Sequence, residues 1–332
     1  MKIAKYHSKD LSGLKFLVTG GAGFVGSNIV DYLLKNKAGK VIALDNFSTG
    51  SRENIEEFLK FPAFELIEGD IREFGTCLKA CKNADYVLHQ AALGSVPRSI
   101  NDPITTNNVN ITGTLNIFLA AKDCNVKRIV YAASSSTYGD SKELPKVEER
   151  IGKPISPYGV TKYVNELYAK VCAELYGLNL IGLRYFNVYG PRQNPHGAYA
   201  AVIPLFIQAV INDKQPVIFG DGKQTRDFTF VQDVVQANIL ALFTDNKEAL
   251  NQVFNVAEGK QTTVNQLWEF AKNQNGSSVI PKYSQKRIGD IHDSLADISK
   301  AINLLNYKPI YDIEAGMKIT YHWFAKKMKT VS

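Results

Sequence analysis

The stretch that most constrains the fold is LKFLVTGGAGFVG, Leu14 to Gly26. A short apolar run (Phe16, Leu17, Val18) ends at Thr19, and glycines follow at Gly20, Gly21, Gly23 and Gly26. An amphipathic segment, Phe24 to Lys35, opens directly out of them. Strand, glycine turn and helix start lie end to end, so helix N-terminal amides and the helix dipole face the place where a pyrophosphate can sit. The glycines divide the work between a tight turn, close backbone approach to phosphate and close helix–strand packing. Glycines alone are a weak signal. A second strand, VIALD, follows and ends in Asp45, at the distance where a carboxylate holds the adenosine ribose hydroxyls. An ordinary strand–helix turn needs no such acid, and the combination points to dinucleotide binding.

Beyond Asp45 strands keep alternating with helices. Asn46 to Gly50 reads as a turn, Glu53 to Lys60 as helix, and Phe64 to Ile67 as a third strand ending in Gly69-Asp70-Ile71. A helix through Leu78 leads to a fourth strand, DYVLHQA from Asp85; a long helix from Pro103 to Cys124 precedes a fifth, KRIVYAAS. This pattern predicts an α/β fold, a Rossmann-type doubly wound parallel sheet. The alternation breaks around Gly190 to Pro195 and again from Gly220 to Phe228, in turn-rich segments. They suggest a smaller, mixed α/β substrate-binding lobe at the C-terminal side. The expected division is 1–185 for the dinucleotide-binding domain, with later segments returning to it, and 186–332 mainly for the lobe.

With 332 residues, 45% of them hydrophobic and 21% charged, the chain has material for a full core and the make-up of an ordinary globular enzyme. Its formal charge of +7 is scattered, apart from Lys326, Lys327 and Lys329. A nucleic-acid binder concentrates such charge on one element; a small polyanionic substrate suits this pattern as well or better. Cys77, Cys81, Cys124 and Cys172 include no C-x-x-C pair and predict buried thiols, with neither disulfide framework nor metal site. The polar N-terminus has no signal-peptide apolar core, and no apolar run reaches membrane-spanning length, so the expected location is cytoplasmic.

The candidate chemistry lies on one helix and one strand end. Tyr158 and Lys162, in SPYGVTKYVNELYAKV, are four residues apart and share a helix face. A phenol ordinarily titrates near ~10, and a neighbouring ammonium, with a nicotinamide cation close by, favours the phenolate a general base needs. Such pairs are common on solvated helices by chance. The fifth strand, however, ends in Ser134-Ser135-Ser136-Thr137-Tyr138-Gly139. Ligands of open α/β sheets sit at the carboxyl ends of strands, so Ser134 is expected to face the cofactor crevice and relay a substrate proton.

These motifs together resemble the extended short-chain dehydrogenases/reductases, and among them the nucleotide-sugar 4-epimerases, nearest the bacterial enzymes acting on UDP-N-acetylglucosamine. The carrying residues are TGGAGFVG (Thr19 to Gly26), Asp45-Asn46, Asp70-Ile71, HQAA (His89 to Ala92), SSSTYG (Ser134 to Gly139), YGVTK (Tyr158 to Lys162), LRYFNVYGPRQ (Leu183 to Gln193) and TRDF (Thr225 to Phe228). The resemblance implies NAD as cofactor, held by Gly20, Gly23, Phe24, Val25 and Gly26, by Asp45 and Asn46, and by Ser48, Thr49 and Gly50 in the following loop. Asp70 and Ile71 are expected to flank adenine, Gln90, Ala91 and Ala92 to line the pyrophosphate, and Asn107 and Phe186, with Tyr158 and Lys162, to meet the nicotinamide half. Asp45 also repels a 2′-phosphate, which favours NAD over NADP. For the UDP-sugar the implied contacts are Gly94, Ser95, the serines 134–136, Tyr158, Asn187, Ala201 and Val202, with Arg226, Arg287 and Asp290 on the diphosphate and ribose. Arginine suits that task because its planar fork pairs bidentately with phosphate oxygens. Relatives pair the helices that begin at Pro103 and Pro157 into an intersubunit four-helix bundle, so a homodimer is expected.

Two details bear on the reaction and the substrate. Sugar-nucleotide 4,6-dehydratases usually carry Asp-Glu just after the Ser/Thr position, where this chain has Ser135-Ser136, and that favours epimerisation, which needs no added acid and base. Tightly held cofactor is expected, since epimerisation has no net redox change. Ser294 stands where epimerases restricted to UDP-glucose and UDP-galactose tend to have tyrosine, leaving room for a 2-acetamido group, and ALGSVPRS (Ala92 to Ser99) resembles the subgroup that prefers N-acetylated UDP-hexosamines. The expected reaction is interconversion of UDP-GlcNAc and UDP-GalNAc through a transient 4-keto sugar, with Tyr158 as acid/base assisted by Ser134 and Lys162. UDP-glucose and UDP-hexuronate 4-epimerases, a 4,6-dehydratase and a non-catalytic NAD sensor remain as alternatives.

Overall fold

The computed structural model describes residues 5–195, 201–285 and 293–331. The first half runs β1 (Lys15–Thr19), α1 (Phe24–Lys35), β2 (Lys40–Asp45), β3 (Phe64–Glu68), α2 (Phe74–Cys81), β4 (Tyr86–His89), α3 (Val96–Asn101), α4 (Pro103–Asn107), α5 (Gly113–Asp123), β5 (Arg128–Ser134), α6 (Pro157–Tyr176) and β6 (Leu180–Tyr185). The second continues with β7 (Val188–Tyr189), α7 (Val202–Ile211), β8 (Val217–Phe219), β9 (Thr225–Arg226), β10 (Thr229–Phe230), α8 (Val231–Phe243), β11 (Val253–Val256), β12 (Thr262–Thr263), α9 (Val264–Lys272), β13 (Lys282–Ser284), α10 (Ser299–Leu305) and α11 (Ile313–Val331).

Seven strands form one parallel sheet in the order β11-β6-β5-β4-β1-β2-β3. Its strands are near-continuous apolar runs because both faces are covered. One face buries Phe16, Val18, Ile29, Leu33, Val234 and Leu242 against α1 and α8; the other buries Leu17, Val87, Ile117, Ile129 and Cys172 against α2, α5 and α6. Strand order reverses between β1 and β4, so a crevice opens beyond their carboxyl ends, where ligands bind in such sheets.

The smaller lobe gathers β7, α7, β8, β9, α9, β13 and α11 around Phe206, Ile207, Val210, Leu267, Trp268 and Met317. Between its segments the chain returns to the sheet: α8 packs on it and β11 extends it beside β6. The lobe is thus threaded through the sheet domain, with no linker between them.

Two local expectations change. The segment 53–60 is two 3₁₀ turns, Arg52–Asn54 and Glu56–Phe58, and no α-helix. Asn54 turns inward to donate to the Ala22 carbonyl (3.0 Å), tying the loop to the glycine turn. The long helix from Pro103 is interrupted by a π turn over Asn108–Thr112, which shifts the face its later residues present. Cys77, Cys81, Cys124 and Cys172 are all free. No helix among the described residues is long and apolar enough to cross a membrane, and no His/Cys/Asp/Glu group among them is arranged to hold a metal.

Candidate active site

The crevice between β1 and β4 is a cleft of about 540 Å³. At its base the turn after β1 brings the backbone of residues 20–26 against the strand ends. A Cβ on Gly26 would collide with the Gly20 carbonyl oxygen, and one on Gly20, whose φ is +67°, with the backbone of Ala91. Glycine is therefore required at both, and the amides of the α1 N-terminus stay open to the cleft. Asp45, buried at the end of β2, accepts from the Ala22 amide (2.9 Å) and the Phe47 amide (2.8 Å). Burial raises its carboxyl while these amides oppose the shift. Each oxygen keeps acceptor capacity for a hydroxyl, so the pocket fits a ribose beside a glycine turn that fits a pyrophosphate. Asp70 also lines the cleft, held by Asn46 (2.8 Å) and by Arg72 through two bonds (2.7 and 3.0 Å), which pull its carboxyl down to about 2.

The catalytic candidates form the opposite wall. Ser156 caps α6 by accepting from the Gly159 amide (3.1 Å), Pro157 occupies its first turn, and Gly177 ends it in the left-handed conformation. That helix carries Tyr158 and Lys162 into the cleft, beside Ala132, Ala133 and Ser134 at the end of β5. Lys162 Nζ donates to the Ala132 carbonyl (2.8 Å) and lies 6.0 Å from the centre of the Tyr158 ring. Burial lowers the ammonium to about 8, with Glu166 opposing. For the Tyr158 phenol, burial raises the pKa and a hydrogen bond with the Ser134 hydroxyl opposes it. The influence opposing burial of the phenol is Ser134, while the Lys162 ammonium stands 6.0 Å from the ring centre.

Behind the site His89 accepts from the Thr19 hydroxyl at Nδ1 (2.7 Å). Its Nε2 donates to Thr114 Oγ1 (3.0 Å), because the Thr114 hydroxyl is committed to the Asn110 carbonyl (2.6 Å). Burial lowers this imidazole to about 3, so it is neutral. Asn110 in turn bonds both Leu93 backbone groups and the Thr161 hydroxyl (3.1 Å), which donates to the Tyr158 carbonyl (2.8 Å).

A second cavity of about 690 Å³ meets the first at Asn187 and Val188. Ala201, Val202, Phe206, Phe219, Arg226 and Phe228 are among its walls. Asn187, at φ +32°, donates to the Asp227 carbonyl (2.9 Å). Asp227 itself is buried and accepts from the amides of Glu258, Gly259 and Ala296 (3.1, 3.2 and 3.1 Å), bracing the strand that presents Arg226.

Most of the sequence candidates converge here. Gly20, Gly23, Phe24, Val25, Gly26, Asp45, Asn46, Ser48, Thr49, Asp70, Ile71, Gln90, Ala91, Ala92, Gly94, Ser134, Tyr158 and Lys162 line the cofactor cleft. Gly50 stands just outside, against Ala22 and Asp45. Ser135 and Ser136 follow in a 3₁₀ turn, and Ser95 caps α3 by accepting from the Arg98 amide (3.2 Å). Ser294 is half-buried, its amide on the Thr225 carbonyl (3.2 Å). Arg287 and Asp290 lie outside the described residues.

Asn107 and Phe186 are also absent from the cleft lining. Asn107 is exposed, while Thr106, Asn110 and Thr114 make the buried face and Val109 lines the cleft. The four-residue spacing of those three polar side chains was the available signal. Phe186 is buried against Tyr138, Ala257 and Ala296. Its neighbour Tyr185 lines the cleft instead, in a ring of hydrogen bonds with Gln90 (3.0 Å) and Asn238 (2.8 Å). Strand alternation sends these neighbours to opposite sides.

Comparison with known proteins agrees with this geometry. Residues 16–257 match the model of the NAD dependent epimerase/dehydratase family. The UDP-N-acetylglucosamine 4-epimerase of Methanobrevibacter ruminantium, solved with UDP-N-acetylmuramic acid, is 42% identical with a TM-score of 0.90, over 95% of this chain and 99% of that one. The UDP-glucose 4-epimerase of Thermotoga maritima, solved with UDP-glucose, is 37% identical with a TM-score of 0.88, over 95% and 100%. The UDP-glucuronic acid 4-epimerase of Bacillus cereus, solved with UDP-glucuronic acid and NAD, is 32% identical with a TM-score of 0.87, again over 95% and 100%. The match over residues 16–257, more than half of the chain, shows that the chain belongs to the NAD dependent epimerase/dehydratase family.

Proposed function

We propose that this chain is a UDP-sugar 4-epimerase, and that its substrates are UDP-N-acetylglucosamine and UDP-N-acetylgalactosamine. The observation that carries the reading is the junction of the two cavities: Ser134, Tyr158 and Lys162 stand in the first, next to Asn187 and Val188, where the second begins. A UDP group lodged in the second cavity, with its diphosphate on Arg226, sets its sugar against the Tyr158 phenol. When bound, NAD supplies reversible hydride exchange at carbon 4 and the positive charge that favours a phenolate. Tyr158 takes the proton from the 4-hydroxyl and later returns it, and Ser134 orients that hydroxyl and bridges it to the phenol. Arg226 holds the nucleotide while leaving the sugar ring free to turn over, so one acid/base serves both faces of the 4-keto intermediate. Nothing beyond this set is needed, in keeping with Ser135 and Ser136 where dehydratases carry acids.

Support for an acetylated sugar comes from the small Ser294 beside Thr225 and Arg226, and from the ALGSVPRS stretch that leaves β4 and opens α3. The exposed apolar residues Ile104, Val160, Leu167, Val171 and Leu175 on α4 and α6 support a homodimer through a four-helix bundle. Incubating the purified protein separately with UDP-GlcNAc, UDP-glucose and UDP-glucuronate, and resolving products by NMR, tests the assignment. Conversion of UDP-GlcNAc to its 4-epimer at the highest kcat/KM is expected. Preferred turnover of either other sugar overturns the acetamido assignment, and no epimer from any of them overturns the reaction.

A further inference from the structure

One turn beyond Lys162 and two beyond Tyr158, α6 carries Glu166, whose side chain is 7% exposed. It takes both arms of Arg184 from β6: Nε donates to Oε1 (2.9 Å) and Nη2 to Oε2 (2.7 Å). The guanidinium, 4% exposed, has two further partners. Its Nη1 donates to the Glu148 carbonyl (3.0 Å), and its carbon lies 4.8 Å from the centre of the Tyr138 ring. Thr137 reaches Glu166 Oε1 through its hydroxyl (3.5 Å), and the Tyr138 hydroxyl donates to Asn255 on β11 (2.7 Å).

Thr137 and Tyr138 belong to the short turn that begins at Ser134. The ion pair therefore joins two pieces of the site that are far apart in sequence: the turn that presents Ser134 and the helix that presents Tyr158 and Lys162. Stability alone is a poor reason for such a pair, because well-packed apolar residues of similar volume are often as stable or more so. A fork-to-fork Arg–carboxylate contact does fix relative orientation, since two parallel bonds leave neither group free to swivel. A hydrogen bond from the Ser134 hydroxyl to the Tyr158 phenol would be short-range and directional, so it depends on that orientation.

We propose that Glu166 and Arg184 are positioning residues for the reaction, clamping the Ser134 turn to the catalytic helix so that the serine hydroxyl meets the Tyr158 phenol. This rests on Tyr158 acting as the acid/base. Neither residue lines the cofactor cleft, so their loss leaves the ligand contacts in place and acts on catalysis through the placement of the turn, together with removal of the carboxylate that opposes the lowering of the Lys162 ammonium.

The test measures kcat and KM per NAD-loaded enzyme for Glu166→Gln and for the double variant Glu166→Leu/Arg184→Met. Glu166→Gln keeps the side-chain shape but removes the charge and one acceptor of the fork. Its kcat is expected to fall ~10- to 10²-fold, as misplacement of reacting groups does, with KM within about threefold and NAD content unchanged. The double variant removes both charges together, so it should fold even if the single one does not, and it should keep the kcat deficit. Wild-type kcat in either variant overturns the proposal, because an apolar or half-neutral pair then serves as well. Parallel loss of KM and NAD content overturns it too, by showing a merely structural role. Tyr158→Phe run alongside separates the two readings: if it retains turnover the base assignment fails, whereas an inactive Tyr158→Phe beside a wild-type Glu166→Gln defeats the clamp alone.

Discussion

The two cavities that meet at Asn187 and Val188 are built on different plans. The cofactor cleft is made of strand ends and the turns leaving them, so its walls come from short contiguous motifs and much of its surface is backbone. The second cavity, proposed above to take the UDP-sugar, is walled by side chains drawn from 187–189, 201–219, 224–228, Val264 and Met328, brought together by helix packing in the lobe. A strand-end site inherits its geometry from the sheet. A side-chain cavity depends on which residues fill it, and that makes it the place where one fold can change substrates.

The largest contrast between the two is catalytic. Tyr158→Phe removes one oxygen from the cofactor cleft and should cut kcat at least ~10²-fold, the scale for a positioned acid/base, with UDP-sugar KM little changed. Near wild-type turnover would place the base elsewhere. On the substrate side Arg226→Ala should do the reverse. Loss of a charged partner from a phosphate costs about 2 kcal/mol, so KM should rise roughly 30-fold with the smaller effect on kcat. Steady-state kinetics on the two variants sharpens the division; a kcat-only defect at Arg226 breaks it.

Legibility in the sequence followed the same division. Asp45, the glycine turn, Ser134, Tyr158 and Lys162 sit at strand ends or helix starts, where chain order dictates spatial order, and they converge in one cleft. Phe186 directly follows Tyr185, and Asn107 lies two residues before Val109, both of which line the cleft. The way α4 buries Thr106 and turns Asn107 outward, and the alternation at the end of β6, decide which neighbour faces inward, and neither appears in a motif. The Arg184–Glu166 pair was equally hidden, since nothing local links a residue on β6 to one on α6. Of the substrate cavity the motifs gave single points such as Asn187 and Arg226, because its apolar walls on α7 and β8 resemble any buried surface.

A stability measurement probes the cofactor side again. Burial lowers the Lys162 ammonium from 10.5 to about 8. Between those values the unfolded chain holds the proton and the folded chain has released it, so stability rises with pH across that window. Below pH 8 the cost of burying the charged form is fully present. Lys162→Met removes it, and should stabilise the protein at pH 7 by roughly 2 kcal/mol once the lost hydrogen bond to Ala132 is counted. The gain should shrink toward pH 10 in urea titrations at the two pH values. A destabilised variant at pH 7 would show that the site holds its lysine without strain.

The smallest expected effect falls on the substrate side, where a single side chain is asked to decide selectivity. Ser294 lies against Thr225, next to the arginine proposed to hold the diphosphate, and it is only half-buried. On the reading proposed above, Ser294→Tyr fills space beside the sugar's 2-substituent without touching the cleft that holds Ser134, Tyr158 and Lys162. Overpacking a formed pocket costs ~1–3 kcal/mol, and a half-buried position, with room to yield, belongs at the lower end, about tenfold in kcat/KM. That loss should fall on UDP-GlcNAc, whose acetamido group needs the space, while UDP-glucose turnover persists or rises because a hydroxyl does not. The ratio between the two sugars carries the information, since general damage to the lobe depresses both together. An unchanged ratio would remove Ser294 as the gate and leave the acetamido preference to the ALGSVPRS stretch that leads into α3.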